Sequence, residues 1–286
     1  MFIDMNVSPA FYETINQDEH QEALRHDELN IHKNGTAKIE HIFNQMACAK
    51  LDRLCLLPED YSSIHGSPLV TNEEVARLVE GYPKRFIGFA STDPLEVDYL
   101  EKAEKAFADL KLKGLKLNLN RLQIYPTDQR LNPLYDLCEK YNKPVIFHSG
   151  LSWEPQTLSK YSRPLEFEEV AYRRPKLRIC LTQFGWPWVR ETAMLMQKYK
   201  NVYADTGALY FDNAQEFFTQ MFTKDIPCTW IDRSLRHQIM FGSANPRFEQ
   251  IRMAEALTKL NLREDTIELI KGENALEFMG WEGEDW

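Results

Sequence analysis

No C-x-x-C pair occurs anywhere in this chain, and neither does G-x-G-x-x-G, G-x-x-x-x-G-K-[ST] or H-E-x-x-H. Each absence removes a class of protein. Without paired cysteines there is no zinc-ribbon or thioredoxin-type site, and the five cysteines (Cys48, Cys55, Cys138, Cys180, Cys228) read as separate, reduced core residues. Without a glycine-rich loop the open nucleotide-binding folds lose their phosphate cradle. Basic charge is also short: 34 Lys and Arg against 43 Asp and Glu give a net charge of −9, which repels polyanions and leaves no footprint for nucleic acid. No apolar run approaches the roughly 20 residues of a membrane span, and "MFIDMNV" is too short and too acidic for a signal peptide, so a cytoplasmic protein is expected. Nor does any Gly, Ser or Pro-rich tract divide the 286 residues, so residues 1–286 are read as a single domain.

What the chain does contain is a set of short apolar runs at nearly regular intervals: 2–7, 53–58, 86–91, 115–119, 144–148, 178–184, 202–207 and 238–242. Several are apolar at almost every position, as strands buried on both faces must be. Helical stripes lie between them, among them Ile39, Ile42, Phe43, Met46 and Ala47, and later Phe248, Ile251, Ala254 and Leu257. Eight alternating units predict an α/β protein of the closed (β/α)8 TIM-barrel type.

In such a barrel the chemistry sits at the carboxyl ends of the strands. Those ends carry Asn6 and Ser8, then Glu59 and Asp60, Asp93, then Lys116, Asn118 and Arg121. Beyond them come His148, Gln183 and Asp205, and finally Ser243, Ala244 and Asn245. A single histidine, His148, appears among them.

At these positions the chain resembles the amidohydrolase superfamily, in particular the amidohydrolase-related branch that includes aminocarboxymuconate-semialdehyde decarboxylase-like and resorcylate decarboxylase-like enzymes. "FIDMNVS" stands where that family writes I-D-x-H-x-H. "GLKLNL", "NPLYDLCEKYNKPVIFHSG", "LTQFGWPW", "NVYADTGAL", "IMFGSANP" and "IKGENALEFMG" follow its later motifs. The resemblance implies a divalent metal held by two histidines after strand one, one after strand five, often one after strand six, and an aspartate after strand eight. Here those positions are Asn6, Ser8, His148, Gln183 and Ala244, and Asn118 replaces the histidine of the G-x-K-L-H motif. A catalytic zinc needs about three protein ligands and an open position, so no metal and no cofactor is expected. The missing aspartate is also the family's general base.

Two function classes follow. One is a metal-independent hydrolase or decarboxylase acting on a small carboxylate-bearing molecule. The other is an inactive barrel that binds a ligand or a partner. His148 has three readings: general base, hydrogen-bonding pocket residue, or inherited structural histidine. Asp205 is expected to orient it or to serve a turn. Asn6, Ser8, Asn118, Gln183 and Asn245 are the candidate polar lining, since buried amides need partners. Lys116, helped by Arg121 and Arg247, is the candidate carboxylate anchor or a paired interior lysine. Trp153, Trp186 and Trp188 are candidate walls, and Trp186 is expected to bind substrate. His20, His26 and His32 are spaced six apart, which does not suit one helix face, so their segment reads as a charged, solvated lid. A small-molecule ligand is expected, with no nucleic acid and no membrane, and the resemblance implies a homodimer.

Overall fold

A computed structural model describes residues 1–31, 35–207 and 213–281. Its strands are β1 (Ile3–Val7), β2 (Arg53–Leu56), β3 (Phe86–Gly88), β4 (Ala90–Ser91), β5 (Leu115–Leu117), β6 (Val145–Phe147), β7 (Ile179–Leu181), β8 (Val202–Asp205) and β9 (Ile239–Met240). All pair in parallel, in two ribbons, β1 to β3 and β4 to β9. The ribbons are continuous with each other. Between β3 and β4, Phe89 donates its N–H to the Leu56 carbonyl (3.0 Å), and Ala90 donates to Gly114 (2.8 Å). The other edge closes where Met5 donates to Phe241 (2.9 Å) and Val7 bridges Asn245. The eight expected strands are therefore eight staves of a (β/α)8 barrel, shorter than the apolar runs that announced them, with the third interrupted at Phe89.

Alternation along the strands builds two apolar layers. On β2, Leu54 and Leu56 join the shell between barrel and helices, while Cys55, with Leu57 just beyond the strand, joins Ile3, Met5, Ile146, Cys180 and Met240 inside the barrel. On β5, Leu115 and Leu117 face the helical shell, which turns Lys116, between them, toward the interior. The amino-terminal end of the barrel is plugged by Ala275, Phe278 and Met279 of the closing helix Asn274–Met279. The opposite end is left for the site.

The helices pack as their stripes require, with two adjustments. Helix Ile39–Ala49 buries Ile42, Met46 and Ala49, whereas Ala47 is exposed. Helix Gln250–Thr258 starts after Phe248, which stays in the preceding turn with its ring centroid 5.8 Å from that of Trp153. The cysteines also divide: Cys55, Cys138 and Cys180 are buried, but Cys48 is exposed and Cys228 half-buried, because both lie on helices away from the barrel wall; all five are free thiols. Among the described residues no helix is long and apolar enough to cross a membrane.

The lid departs from expectation. Helix Glu19–Glu28, starting at an Asp18 cap, is anchored rather than solvated. Arg25 is 1% exposed and donates to the carbonyls of Leu69 (2.7 Å) and Ile15 (2.9 Å), to Asn16 Oδ1 (2.7 Å) and to both oxygens of Glu74 (3.0 and 3.2 Å). Glu74 is at the same time the third residue of a capping box with Thr71, so one carboxylate starts the helix Asn72–Gly81 and holds the lid. His26 stacks on Phe11 with centroids 4.4 Å apart, His20 is exposed, and His32 lies outside the described residues.

Candidate functional site

The strand-one residues reach the barrel mouth because the β1–β2 register shifts between Asp4 and Val7. Such an irregularity re-aims side chains, and both Asn6 and Ser8 line the mouth cavity. Asp4, fully buried beneath them, accepts from Ser243 Oγ (2.5 Å) and N (2.9 Å) and from Gln250 Nε2 (2.8 Å), tying the first stave to the last. Burial raises its carboxyl from 3.8 to about 6 against the pull of those hydrogen bonds.

Asn6 donates from Nδ2 to Asp205 Oδ2 (3.1 Å), and the other Asp205 oxygen accepts the backbone N–H groups of Gln183 and Gly207, each at 2.8 Å. Two glycines make room for this pair. A Cβ at Gly207 would come within 2.5 Å of Asn6 Nδ2, and one at Gly242 within 2.9 Å of the Asn6 Cβ. Asp205 is fully buried, and burial raises its carboxyl above the ordinary value.

Above this pair lies a cavity of about 100 Å³. Asn6, Ser8, Lys116, Asn118, His148, Gln183 and Asn245 all line it, so the structure gathers seven of the nine expected site residues around one space. Lys116 is buried and makes no direct ion pair among the described residues. Burial lowers its ammonium, while Glu59, Asp205 and Glu154 support the charge. His148 presents a buried Nε2 with no hydrogen-bond partner among the described residues. Burial first, then the positive charges of Lys116 and Arg247, push its imidazole down to about 3, so the ring is neutral at pH 7. Asn118 likewise turns an unpartnered Oδ1 into buried surroundings.

The two exceptions are Asp205 and Trp186. Asp205 does not orient His148: the chain turns at Gln183 with φ +59° and delivers that residue's N–H to the carboxylate, which Asn6 reaches over the one intervening stave, β9. Trp186 follows three successive positive-φ residues, Gln183, Phe184 and Gly185, and packs against Phe217 at 5.6 Å instead of lining the cavity. Arg121 does not line the cavity; it is buried and ion-paired with lid residue Glu28, which also meets His65 at 3.0 Å. The lid itself contributes Leu29 and Ile31 to the cavity roof.

Sequence reasoning underrated Glu59 and missed Glu154, both of which line the cavity. Burial raises the Glu59 carboxyl, and Lys116 draws it back. Glu154 lies 3.7 Å from Arg247, whose guanidinium also covers Trp153 at 5.5 Å and donates to the Leu29 carbonyl. The available signal was position: Glu154 follows the β6 strand end in the same loop as His148 and Trp153.

The donor set does not fit a catalytic divalent metal. Of the five positions where the family resemblance places ligands, His148 supplies an imidazole, Asn6, Ser8 and Gln183 supply neutral oxygens, and Ala244 supplies none. Lys116 and Arg247 stand against Glu59 and Glu154 on the same cavity, so its net charge does not draw in a dication either. No group of three or more His, Cys, Asp or Glu with metal-holding geometry occurs among the described residues. Ala244 keeps φ at +57°, a backbone conformation that Asp and Asn tolerate better than Ala.

Comparison with known proteins agrees with the motifs. The 2-amino-3-carboxymuconate-6-semialdehyde decarboxylase of Dictyostelium discoideum is 24% identical over 131 residues, 40% of this chain and 36% of its own length, so the match spans about a third of that relative. An uncharacterised TIM-barrel protein from Bordetella bronchiseptica superposes with a TM-score of 0.78 at 21% identity, covering 98% of this chain and 99% of that one. The 5-carboxyvanillate decarboxylase of Sphingomonas paucimobilis gives 0.68 at 13% identity, covering 98% of each. These likenesses show the fold. A family model described as Amidohydrolase matches residues 58–281, and the chain belongs to the amidohydrolase family, with a curated relative in the branch its motifs resemble.

Proposed function

We propose that the barrel mouth binds a small carboxylate-bearing molecule on Lys116, beside the neutral ring of His148, and that it acts on it as a metal-independent hydrolase or decarboxylase. The observation that carries this reading is the pairing, on one cavity, of a buried ammonium and an imidazole Nε2 that have, among the described residues, no direct ion pair and no hydrogen-bond partner respectively. A bound carboxylate would offset the field of Lys116 and Arg247 and lift His148 back toward its ordinary range, so that ligand and proton arrive together. The imidazolium so formed is placed to give its proton to a carbon that loses carbon dioxide, the electron pair of the broken C–C bond taking up that proton. Amide N–H groups of Asn6, Asn118 and Gln183 serve the remaining polar atoms of the ligand.

The second reading, a binding barrel without chemistry, is favoured by two observations. Leu29 and Ile31 roof the cavity down to about 100 Å³, and Asp205 is held by three donors away from His148. The cavity is smaller than the engineered one of about 150 Å³ that admits benzene, so a ring-sized ligand requires the lid to lift.

Calorimetric titration with acetate, in buffers of differing ionisation heat, tests the binding. Uptake of a proton with the anion, and loss of binding in Lys116→Met, are expected. Binding that Lys116→Met leaves intact would remove Lys116 as the anchor. Assaying metal-free protein for carbon dioxide release from a panel of short oxo-acids, with His148→Gln as control, separates the enzyme from the silent barrel.

A further inference from the structure

Beside the mouth lies a second and larger space, of about 430 Å³. Its floor is formed by Phe11, Tyr12 and Ile42, each no more than 4% exposed, and its rim by the exposed residues Gly35, His41 and Glu249. Four residues, Ser8, Asn245, Pro246 and Arg247, line both this vestibule and the inner cavity. The wall between them is therefore a single layer, in which the main chains of Ser8 and Asn245 meet. There the Ser8 N–H donates to the Asn245 carbonyl at 2.8 Å, and Pro246 and Arg247 line the space on each side.

The volumes decide what such an arrangement can hold. The inner cavity is below the size that takes a benzene ring, while the vestibule is nearly three times that size. A carboxylate fits the first, and an attached chain finds room in the second, over its floor of Phe11, Tyr12 and Ile42.

Resting on the carboxylate reading of the inner cavity, we infer that the site is two-chambered. The carboxylate head lies against Lys116 and an attached apolar chain passes Arg247 into the vestibule, so the ligand class is an aliphatic or arylalkyl monocarboxylate. A second carboxylate at the far end of the chain would meet Glu249 at the rim, which selects against dicarboxylates. Arg247 closes the passage by donating to the Leu29 carbonyl of the lid and lying 3.7 Å from Glu154. Passage of a chain breaks the first of these contacts, and this couples occupancy to the position of the roof.

The test is the affinity of the straight-chain carboxylates from acetate to octanoate, measured by calorimetry on the full chain, together with Ala37→Phe, which fills the vestibule from its rim, and Gln45→Phe, which fills it from the outer side of the helix Ile39–Ala49. Affinity is expected to rise about fourfold per methylene up to hexanoate, on the order of 10²-fold in all, and both substitutions should cancel that rise. Acetate binding without gain from chain length, or a gain that neither substitution touches, overturns the two-chamber inference and leaves the carboxylate site standing. If no member of the series binds, the carboxylate reading falls, and the inference falls with it.

Discussion

His148 should make the fold acid-sensitive in a way that one substitution reveals. Its ring has an ordinary value of 6.5 and is held at about 3 in the fold, chiefly by burial and then by Lys116 and Arg247. A base depressed in this way contributes stability that is complete above 6.5 and is lost progressively as pH falls toward 3, because the unfolded chain takes up a proton that the fold refuses. Between pH 7 and pH 5 the loss works out at about 2 kcal/mol, an upper bound because the cavity-facing edge of the ring keeps part of its solvation. The raw stability curve hides this. Asp4, raised from 3.8 to about 6, has the opposite sign and returns about 1 kcal/mol over the same interval, and Glu59 and Asp205 are shifted in the same direction as Asp4. The observable is therefore a difference: urea unfolding of the natural chain and of His148→Gln at both pH values, compared with each other. The natural chain should lose about 2 kcal/mol more than the variant. Parallel curves, agreeing within about 0.5 kcal/mol, would refute the reasoning and mean that the ring titrates in the fold as it does in water.

Three other outcomes follow from single contacts. Asp4→Asn should abolish a fall in stability of about 2 kcal/mol that the natural carboxyl imposes as pH rises from 3.8 to about 6; denaturant midpoints across that window would show it, and an unchanged slope would place the titration elsewhere. Ala244→Gly should stabilise the fold by about 0.5–1 kcal/mol, since the position holds φ at +57°; thermal unfolding that shifts downward would count against it. Arg25→Met removes one partner of a buried, five-bonded guanidinium and should cost about 3 kcal/mol, with faster amide exchange over residues 19–28; exchange that stays slow there would show that the lid is held by other contacts.

Much of the fold was legible because burial on both faces leaves an unmistakable residue pattern. "RLCL" and "VIF" are buried at every position, and a parallel barrel explains such runs with little competition. Strand ends were legible for the same reason, and seven residues at or near them, from Asn6 to Asn245, meet at one cavity. What was not legible depends on backbone turns and on partners distant in sequence. Nothing local to Asp205 announces that Gln183 will turn its N–H toward it through a positive φ, nor that Asn6, 199 residues away, will take its other oxygen. Arg25 looked like one charge among many in a polar segment. Its burial follows from Leu69 and Glu74, more than 40 residues further on. Glu154 escaped because a loop residue reveals its direction only once the lid and Arg247 are in place.

The central claim is that this barrel mouth has exchanged a metal-ligating set for a neutral imidazole, amides and a buried lysine. Metal content tests it most directly, measured by inductively coupled plasma mass spectrometry on protein purified without chelator and then dialysed against zinc and manganese. The account predicts far less than one bound ion per chain, and the same value for His148→Gln. About one ion per chain, lost in His148→Gln, would contradict it.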